Sequence, residues 1–389
     1  MEFEKIKAQA DQYMMHTYHR FSAALVKGKN ATAWDADGKK YIDFTAGIGV
    51  NSLGYADPKW VAAVSKQAGE IQHTCNLFYN PQVTSLAENL CKTAGFSKVF
   101  FGNSGAEANE CAVKVARKYS SDRYGFDRCE VITLQNSFHG RTLATLAATG
   151  QEHFHELFKP LPAGFITAEP NIQSVMEKLS DKTCAIFYEP IQGEGGVLPL
   201  TAEFVKTLRK LCDEKDVILV ADEVQTGVGR SGTFYATEQF GVKPDVLTSA
   251  KGLGGGLPIG ACLVGEKCAE VLGIGDHGTT FGGNPVVCAG ANVVLERLNT
   301  PGFLQEVSEK GAFLQKSLSK MENIENVRGM GLMVGAKPIG KTAAQIADQC
   351  VENGLLVLTA KDVLRFLPPL TITIEELKAG LSILEKVLA

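Results

Sequence analysis

Val217-Ile218-Leu219-Val220-Ala221 runs directly into Asp222-Glu223-Val224-Gln225-Thr226-Gly227, and the fold turns on how that stretch is read. Five apolar residues closed by a polar turn are too few for a helix. Three of the five are β-branched, so the run reads as a buried strand. A second run, Val246-Leu247-Thr248-Ser249, delivers Ala250-Lys251-Gly252 and then the flexible Leu253-Gly254-Gly255-Gly256. An acid and a lysine therefore stand just past the C-terminal ends of two buried strands. In open α/β sheets that edge is where ligands bind.

One chemistry that uses such a pair is that of pyridoxal 5'-phosphate. A lysine holds the cofactor covalently, and a carboxylate pairs with the protonated ring nitrogen and keeps the ring electron-withdrawing. The plain alternative is a strand-end acid beside an unrelated lysine. These two residues alone do not choose between them.

The rest of the chain narrows the choice. With 389 residues it has room for a large core and two domains. Apolar content of 45 % and charged content of 21 % are ordinary for an enzyme that works in water. A net charge of −4 gives no broad basic face, so no nucleic-acid partner is expected. The ten cysteines include no Cys-x-x-Cys and no accompanying histidine cluster. They read as buried thiols in a reducing compartment, with no metal site and no disulfide frame. The start Met1-Glu2-Phe3-Glu4-Lys5 is charged and lacks an apolar leader segment, and no apolar run approaches membrane-spanning length. A cytoplasmic chain with no membrane contact is the expectation.

Taken in order, residues 1–30 read as helical and then irregular. A hairpin follows, with Thr32-Ala33-Trp34 and Tyr41-Ile42-Asp43-Phe44 joined at Asp35–Gly38. Pro58 starts an amphipathic helix to about Glu70, and a second helix spans Val83 to Thr93. The strand Val99-Phe100-Phe101 ends in Gly102-Asn103-Ser104-Gly105-Ala106-Glu107-Ala108-Asn109, with a helix onward to Tyr119. A strand, a Gly/Ser turn and a helix N-terminus make an anion site, although the same pattern also serves as a bare helix cap. The strand Val131–Leu134 leads to Ser137-Phe138-His139-Gly140-Arg141-Thr142. Phe138 suits stacking on a planar group and Arg141 suits bidentate grip of a carboxylate; a core aromatic and a surface arginine are the alternatives. His139 reads as a packing or hydrogen-bonding residue rather than a base.

Cys184–Tyr188 is a strand that ends at Glu189-Pro190-Ile191-Gln192-Gly193-Glu194-Gly195-Gly196. Its two acids read either as an acid/base pair or with Glu194 as the partner of an arginine gate. Thr279-Thr280-Phe281-Gly282-Gly283-Asn284-Pro285 is a further Gly-rich loop with two hydroxyls. A helix from about Val286 to Leu298 leads to a last unit with strands at 331–335, 355–358 and 364–366 and a helix from Ala343 to Glu352. Within it, Gly335-Ala336-Lys337-Pro338-Ile339-Gly340-Lys341-Thr342 is a literal phosphate-binding P-loop pattern, with a strand before it and a helix after it. The segment 343–389 is too short to supply the usual sheet and metal-binding acid, so a nucleotide-dependent enzyme stands only as a remote alternative.

These motifs together, in this order from Trp34 to Pro369, make the chain resemble the class III, ornithine-type aminotransferases of pyridoxal phosphate fold type I. The resemblance implies an α/β fold with a mostly parallel central sheet in a large domain, 50–285. A small α+β domain would form from both termini, 1–49 and 286–389. It implies Lys251 as the cofactor-holding lysine and proton shuttle, and Asp222 as the partner of the ring nitrogen. Phe138 and Val224 would sandwich the ring, and Gln225 would approach its phenolic oxygen. Ser104, Gly105 and Ala106 would hold the phosphate, with Thr280 reaching it from the second subunit of a homodimer.

For substrates, the resemblance implies that Arg141 takes the α-carboxylate with Thr279 nearby. Arg365 would pair with Glu194 until 2-oxoglutarate displaces it. Ile48 stands where the ornithine enzymes of the family typically carry a tyrosine that meets a free α-amine. An apolar residue fits an acylated amine better, because a buried hydroxyl would lack that partner. N-acetylornithine is therefore the first expectation for the donor. N-succinylornithine, N-succinyl-diaminopimelate chemistry and other ω-amino donors use the same frame. At Leu53-Gly54-Tyr55-Ala56-Asp57-Pro58 relatives usually have Gly-His-x-His-Pro, whose histidines have no catalytic part in the family.

Overall fold

The computed structural model describes residues 2–389. Its centre is a seven-stranded sheet, with strands in the spatial order Lys98–Gly102, Gly260–Val264, Val246–Ser249, Ile218–Asp222, Thr183–Tyr188, Glu130–Leu134 and Phe165–Ala168. Ile218–Asp222 pairs in parallel with neighbours on both sides. Gly260–Val264 alone runs against its two neighbours. The strands ending at Gly102, Leu134, Tyr188, Asp222 and Ser249 therefore open onto one edge.

Alternation along the central strands explains the layers on either side. Ile218 and Val220 point into a cluster with Cys111, Val115 and Tyr119 of the helix Gly105–Tyr124. Leu219 and Ala221 point the other way, against Phe204, Val205, Leu208 and Cys212. Those four lie on one stripe of the helix Ala202–Lys215, which Thr201 caps through Phe204 N and Asp216 ends in the left-handed region. Each such strand residue is fully buried, which contributes about 1.5–3 kcal/mol per large apolar side chain. A strand covered on both faces reads as an unbroken apolar run, and that is why the central strands were legible.

The two termini meet beside this sheet. Leu25–Lys29, Thr32–Asp35 and Lys40–Asp43 form a sheet that Leu355–Leu356 completes in parallel with the last of them. Ile324–Met330, Met333–Pro338, Val363–Phe366 and Leu358–Ala360 form a separate antiparallel sheet. Two expectations differ here. The strand expected at 331–335 starts at Met333 and runs to Pro338, with Gly331-Leu332 as the tight turn before it, and 355–358 is two short strands broken at Val357. No described helix is long and apolar enough to cross a membrane.

The P-loop pattern folds as a strand, a turn and a helix, but its donors are engaged internally. Thr342 and Gln345 close a reciprocal cap on the helix Ala343–Glu352. Lys341 Nζ donates to Gln349 Oε1 at 3.1 Å and to the Val387 carbonyl at 3.2 Å.

Candidate active site

At the open edge of the central sheet lies a cavity of about 470 Å³, with Lys251, Asp222 and Glu189 in its wall. The loops after five strands build it, so residues far apart in sequence meet there.

Asp222 is the most tightly held group. Its Oδ2 accepts from Asn109 Nδ2 at 2.7 Å and meets His139 Nδ1 at 2.8 Å; its Oδ1 accepts from Val224 N at 3.0 Å. Thr248 Oγ1 donates to Asn109 Oδ1 at 2.7 Å and fixes which way that amide faces. The His139 bond to a carboxylate needs the ring proton on Nδ1. His139 thus does the hydrogen-bonding work expected of it, and its buried Nε2 has no partner among the described residues. Donors converging on one buried carboxylate suit an anion that must persist beside a cation.

Lys251 follows the strand Val246–Ser249 in a left-handed conformation, φ +43°, a strained choice for a residue with a Cβ. Burial pushes its amine pKa down; Glu194, Asp222 and Glu189 oppose the shift and Arg365 adds to it. A lowered pKa favours the neutral amine, the form that accepts a proton. Glu189 is buried and accepts from Phe138 N at 2.9 Å. Burial, reinforced by the charge of Asp222, raises its pKa well above the usual carboxylate range, favouring its neutral form.

The opposite wall fits a phosphate. Ser104 caps the helix Gly105–Tyr124 by accepting from Glu107 N, and the first intrahelical bond runs from Ala108 N to Ser104 O. The amides of Gly105 and Ala106 precede that bond and line the cavity. Gly105 is required by packing, since a Cβ there would meet Val224 Cγ1 at 2.7 Å. Phe138 and Val224 also line the cavity. A planar, phosphorylated, cationic ring matches this donor set: an apolar slot, a helix N-terminus and a held carboxylate.

Arg365, Glu194 and Gln225 form one bonded group. Arg365 Nη1 donates to Glu194 Oε1 and, at 3.2 Å, to Gln225 Oε1; Gln225 Nε2 donates to Glu194 Oε1 at 3.2 Å. Burial raises the Glu194 pKa, but the charge and hydrogen bond of Arg365 outweigh it and hold the carboxyl below its usual range. Gln225 also lines the cavity, and its amide bonds both Arg365 and Glu194 while the second N–H of Nε2 remains for a further acceptor.

Arg141 lines the cavity with its guanidinium 4.2 Å from the centroid of the Phe154 ring. Thr279 Oγ1 accepts from Asn103 Nδ2 at 3.3 Å and from Gly282 N at 3.2 Å, which ties that hydroxyl to its own loop and to the turn before the helix Gly105–Tyr124. Thr280 is exposed and lies outside this cavity. Ile48 is exposed, at φ +67°, and Val50 rather than Ile48 is in the wall. Sequence reasoning gave no role to Asn109 or Thr248, whose link to Asp222 is visible only once the helix and strands are packed.

The family Aminotransferase class-III matches residues 13–388. The chain is a class-III aminotransferase. It is 49 % identical to the acetylornithine aminotransferase of Haemophilus ducreyi over the full length of both chains. To that of Methanocaldococcus jannaschii it is 45 % identical, covering 97 % of this chain and 96 % of the relative. Among solved structures, the ornithine aminotransferase of Toxoplasma gondii superposes with a TM-score of 0.94 at 32 % identity, covering 99 % of this chain and 94 % of that one. The N-acetylornithine aminotransferase of Stenotrophomonas maltophilia gives a TM-score of 0.84 at 38 % identity, covering 98 % and 97 %. Class-III aminotransferases depend on pyridoxal phosphate, and the cavity's donor set agrees with that group.

Proposed function

We propose that this aminotransferase transfers the δ-amine of N-acetyl-L-ornithine to 2-oxoglutarate, giving N-acetyl-L-glutamate 5-semialdehyde and L-glutamate, a step of arginine biosynthesis. The observation that carries the reading is the cavity, with Lys251 and the held Asp222 in its wall and with Gln225, also in that wall, bonded to the Arg365–Glu194 pair. The full-length identity to acetylornithine aminotransferases supports the choice of substrate.

Pyridoxal phosphate, when bound, supplies the electron-accepting ring. The chain's own residues do the rest. Gly105 and Ala106 N–H groups would hold the phosphate, with the Ser104 turn setting their direction. Asp222, fixed by Asn109, His139 and Val224 N, would pair with the ring nitrogen. Phe138 and Val224 would line the ring. Lys251 would hold the cofactor, and its Nζ as a neutral amine would take up and return the proton of the substrate carbon. Arg141 grips the α-carboxylate. Arg365 stays with Glu194 for a donor that has one carboxylate and leaves it for the second carboxylate of 2-oxoglutarate, so one site serves both half-reactions.

We also propose the division into a cofactor-binding unit, 50–285, and a unit of both termini, 1–49 with 286–389. A cytoplasmic homodimer in which Thr280 of each copy completes the other's phosphate site is part of the same reading. The exposed Thr280, together with Leu77, Phe78, Tyr79 and Phe281, supports it, since such an apolar loop cluster is suited to cover by a second copy.

The test is the visible spectrum of the purified protein during addition of single donors. N-acetylornithine is expected to bleach the cofactor band faster than N-succinylornithine, ornithine or 4-aminobutyrate. Faster bleaching by another donor would replace the substrate. No cofactor band after reconstitution would remove the Lys251 and Asp222 roles.

A further inference from the structure

Gln225 is buried, and its amide lies across the Arg365–Glu194 pair. Its orientation is fixed by chemistry. A guanidinium offers only donors and a carboxylate only acceptors, so Oε1 must face Arg365 and Nε2 must face Glu194. Residue 193 has to be glycine for this, because a Cβ there would meet Gln225 Oε1 at 2.2 Å and Cδ at 2.6 Å. The loop that carries Glu194 is itself pinned, with Arg328 Nη2 donating to the Gly196 carbonyl at 2.7 Å and Arg328 Nε to Val197 at 3.0 Å. Arg365, in turn, is buried and keeps its Nε without a partner among the described residues. That is an unused donor on the residue expected to receive a substrate carboxylate.

We propose that Gln225 is a positioning residue for the Arg365–Glu194 gate and sets the balance between donors with one carboxylate and substrates with two. This deepens the transaminase reading and rests on it. When a distal carboxylate takes Arg365, Oε1 of Gln225 loses its charged donor, and the three-way arrangement comes apart. Gln225 therefore favours the closed gate. Two changes act on it in opposite directions. Gln225→Leu removes both bonds and frees Arg365. Gln225→Glu places a second anion on Arg365 and holds it more firmly.

The probe is glutarate, a five-carbon dicarboxylate with neither amine nor ketone, titrated into the holoenzyme by calorimetry. Turnover with glutamate and with N-acetylornithine is measured in parallel. Hydrogen bonds to charged groups are each worth a factor of about 10 or more. The glutarate Kd should therefore fall about 5- to 10-fold in Gln225→Leu and rise by a similar factor in Gln225→Glu. The ratio of kcat/KM for glutamate to that for N-acetylornithine should move up in the first and down in the second. A ratio cancels any common loss of cofactor geometry. Shifts of the same sign in both variants, or an unchanged glutarate Kd with both donors slowed equally, would overturn the proposal. If the Leu variant fails to fold, the Glu variant alone carries the sign. A wild-type protein that transaminates neither donor would sink the functional reading instead, and the glutarate titrations would still read the gate.

Discussion

Asp222 ends one strand of the central sheet and Glu194 lies in the loop after the neighbouring strand, yet the two carboxylates are held in contrasting ways. Asp222 takes every partner from the central unit, namely Asn109, His139 and Val224, and its side chain is 4 % exposed. Glu194 sits in a glycine-rich loop at 28 % exposure, and its cation comes from Val363–Phe366, a strand of the C-terminal antiparallel sheet. The first arrangement cannot exchange partners without unpacking the core. The second can, because a substrate carboxylate would offer Arg365 the same charge that Glu194 does. On the proposed reading, the chemistry is built on the central sheet and the selection where a loop of that sheet meets the C-terminal antiparallel sheet.

The sharpest way to break that contrast is at the lysine. Lys251→Ala should lower kcat by about 1,000-fold or more for every donor, since it removes the proposed proton carrier; glutamate production in a coupled assay reads it. Asp222→Asn comes next. It removes the buried carboxylate that the proposed reading sets against the ring nitrogen, an effect of about 3 kcal/mol or about 100-fold in kcat, and it should slow all donors alike.

Effects at the gate are smaller and selective. Glu194→Gln should lower the KM for 2-oxoglutarate about 3- to 10-fold, because Arg365 is no longer neutralised. The same pair has a pH signature. The Glu194 pKa is lowered in the folded protein. Its stabilisation is thus fully present above the ordinary carboxylate pKa and is lost as pH falls through the lowered value. Wild-type and Glu194→Gln melting temperatures should converge on that acid limb. Divergence there would mean that the pair does not stabilise the fold.

The smallest expected effect is at the P-loop look-alike. Lys341→Ala removes two bonds near a helix end and should cost about 0.5–1 kcal/mol of stability with no change in activity. Addition of magnesium and ATP should leave the melting temperature of either protein where it was.

How far the sequence carried this account follows the same divide. Strands covered on both faces were readable as short apolar runs, and their polar ends supplied Asp222, Lys251, Glu189 and the Ser104 turn. The strand Gly260–Val264 was not, because it follows a run of glycines and runs against its neighbours. The helix Ile374–Leu388 was passed over despite a legible signal, the Thr373 and Glu376 capping box. What sequence could not show was who holds whom. Asn109 and His139 lie 113 and 83 positions from Asp222, and no local pattern links them. The resemblance pointed Gln225 at the ring, but nothing local showed that its amide also meets a strand that arrives 140 positions later.

The measurement that bears most directly on the account is single-turnover kinetics of each half-reaction, run separately on Asp222→Asn and Glu194→Gln. The account predicts that Asp222→Asn slows the N-acetylornithine and 2-oxoglutarate half-reactions by the same factor, while Glu194→Gln changes their ratio. A uniform slowing in Glu194→Gln, or a changed ratio in Asp222→Asn, would contradict the separation of chemistry from selection.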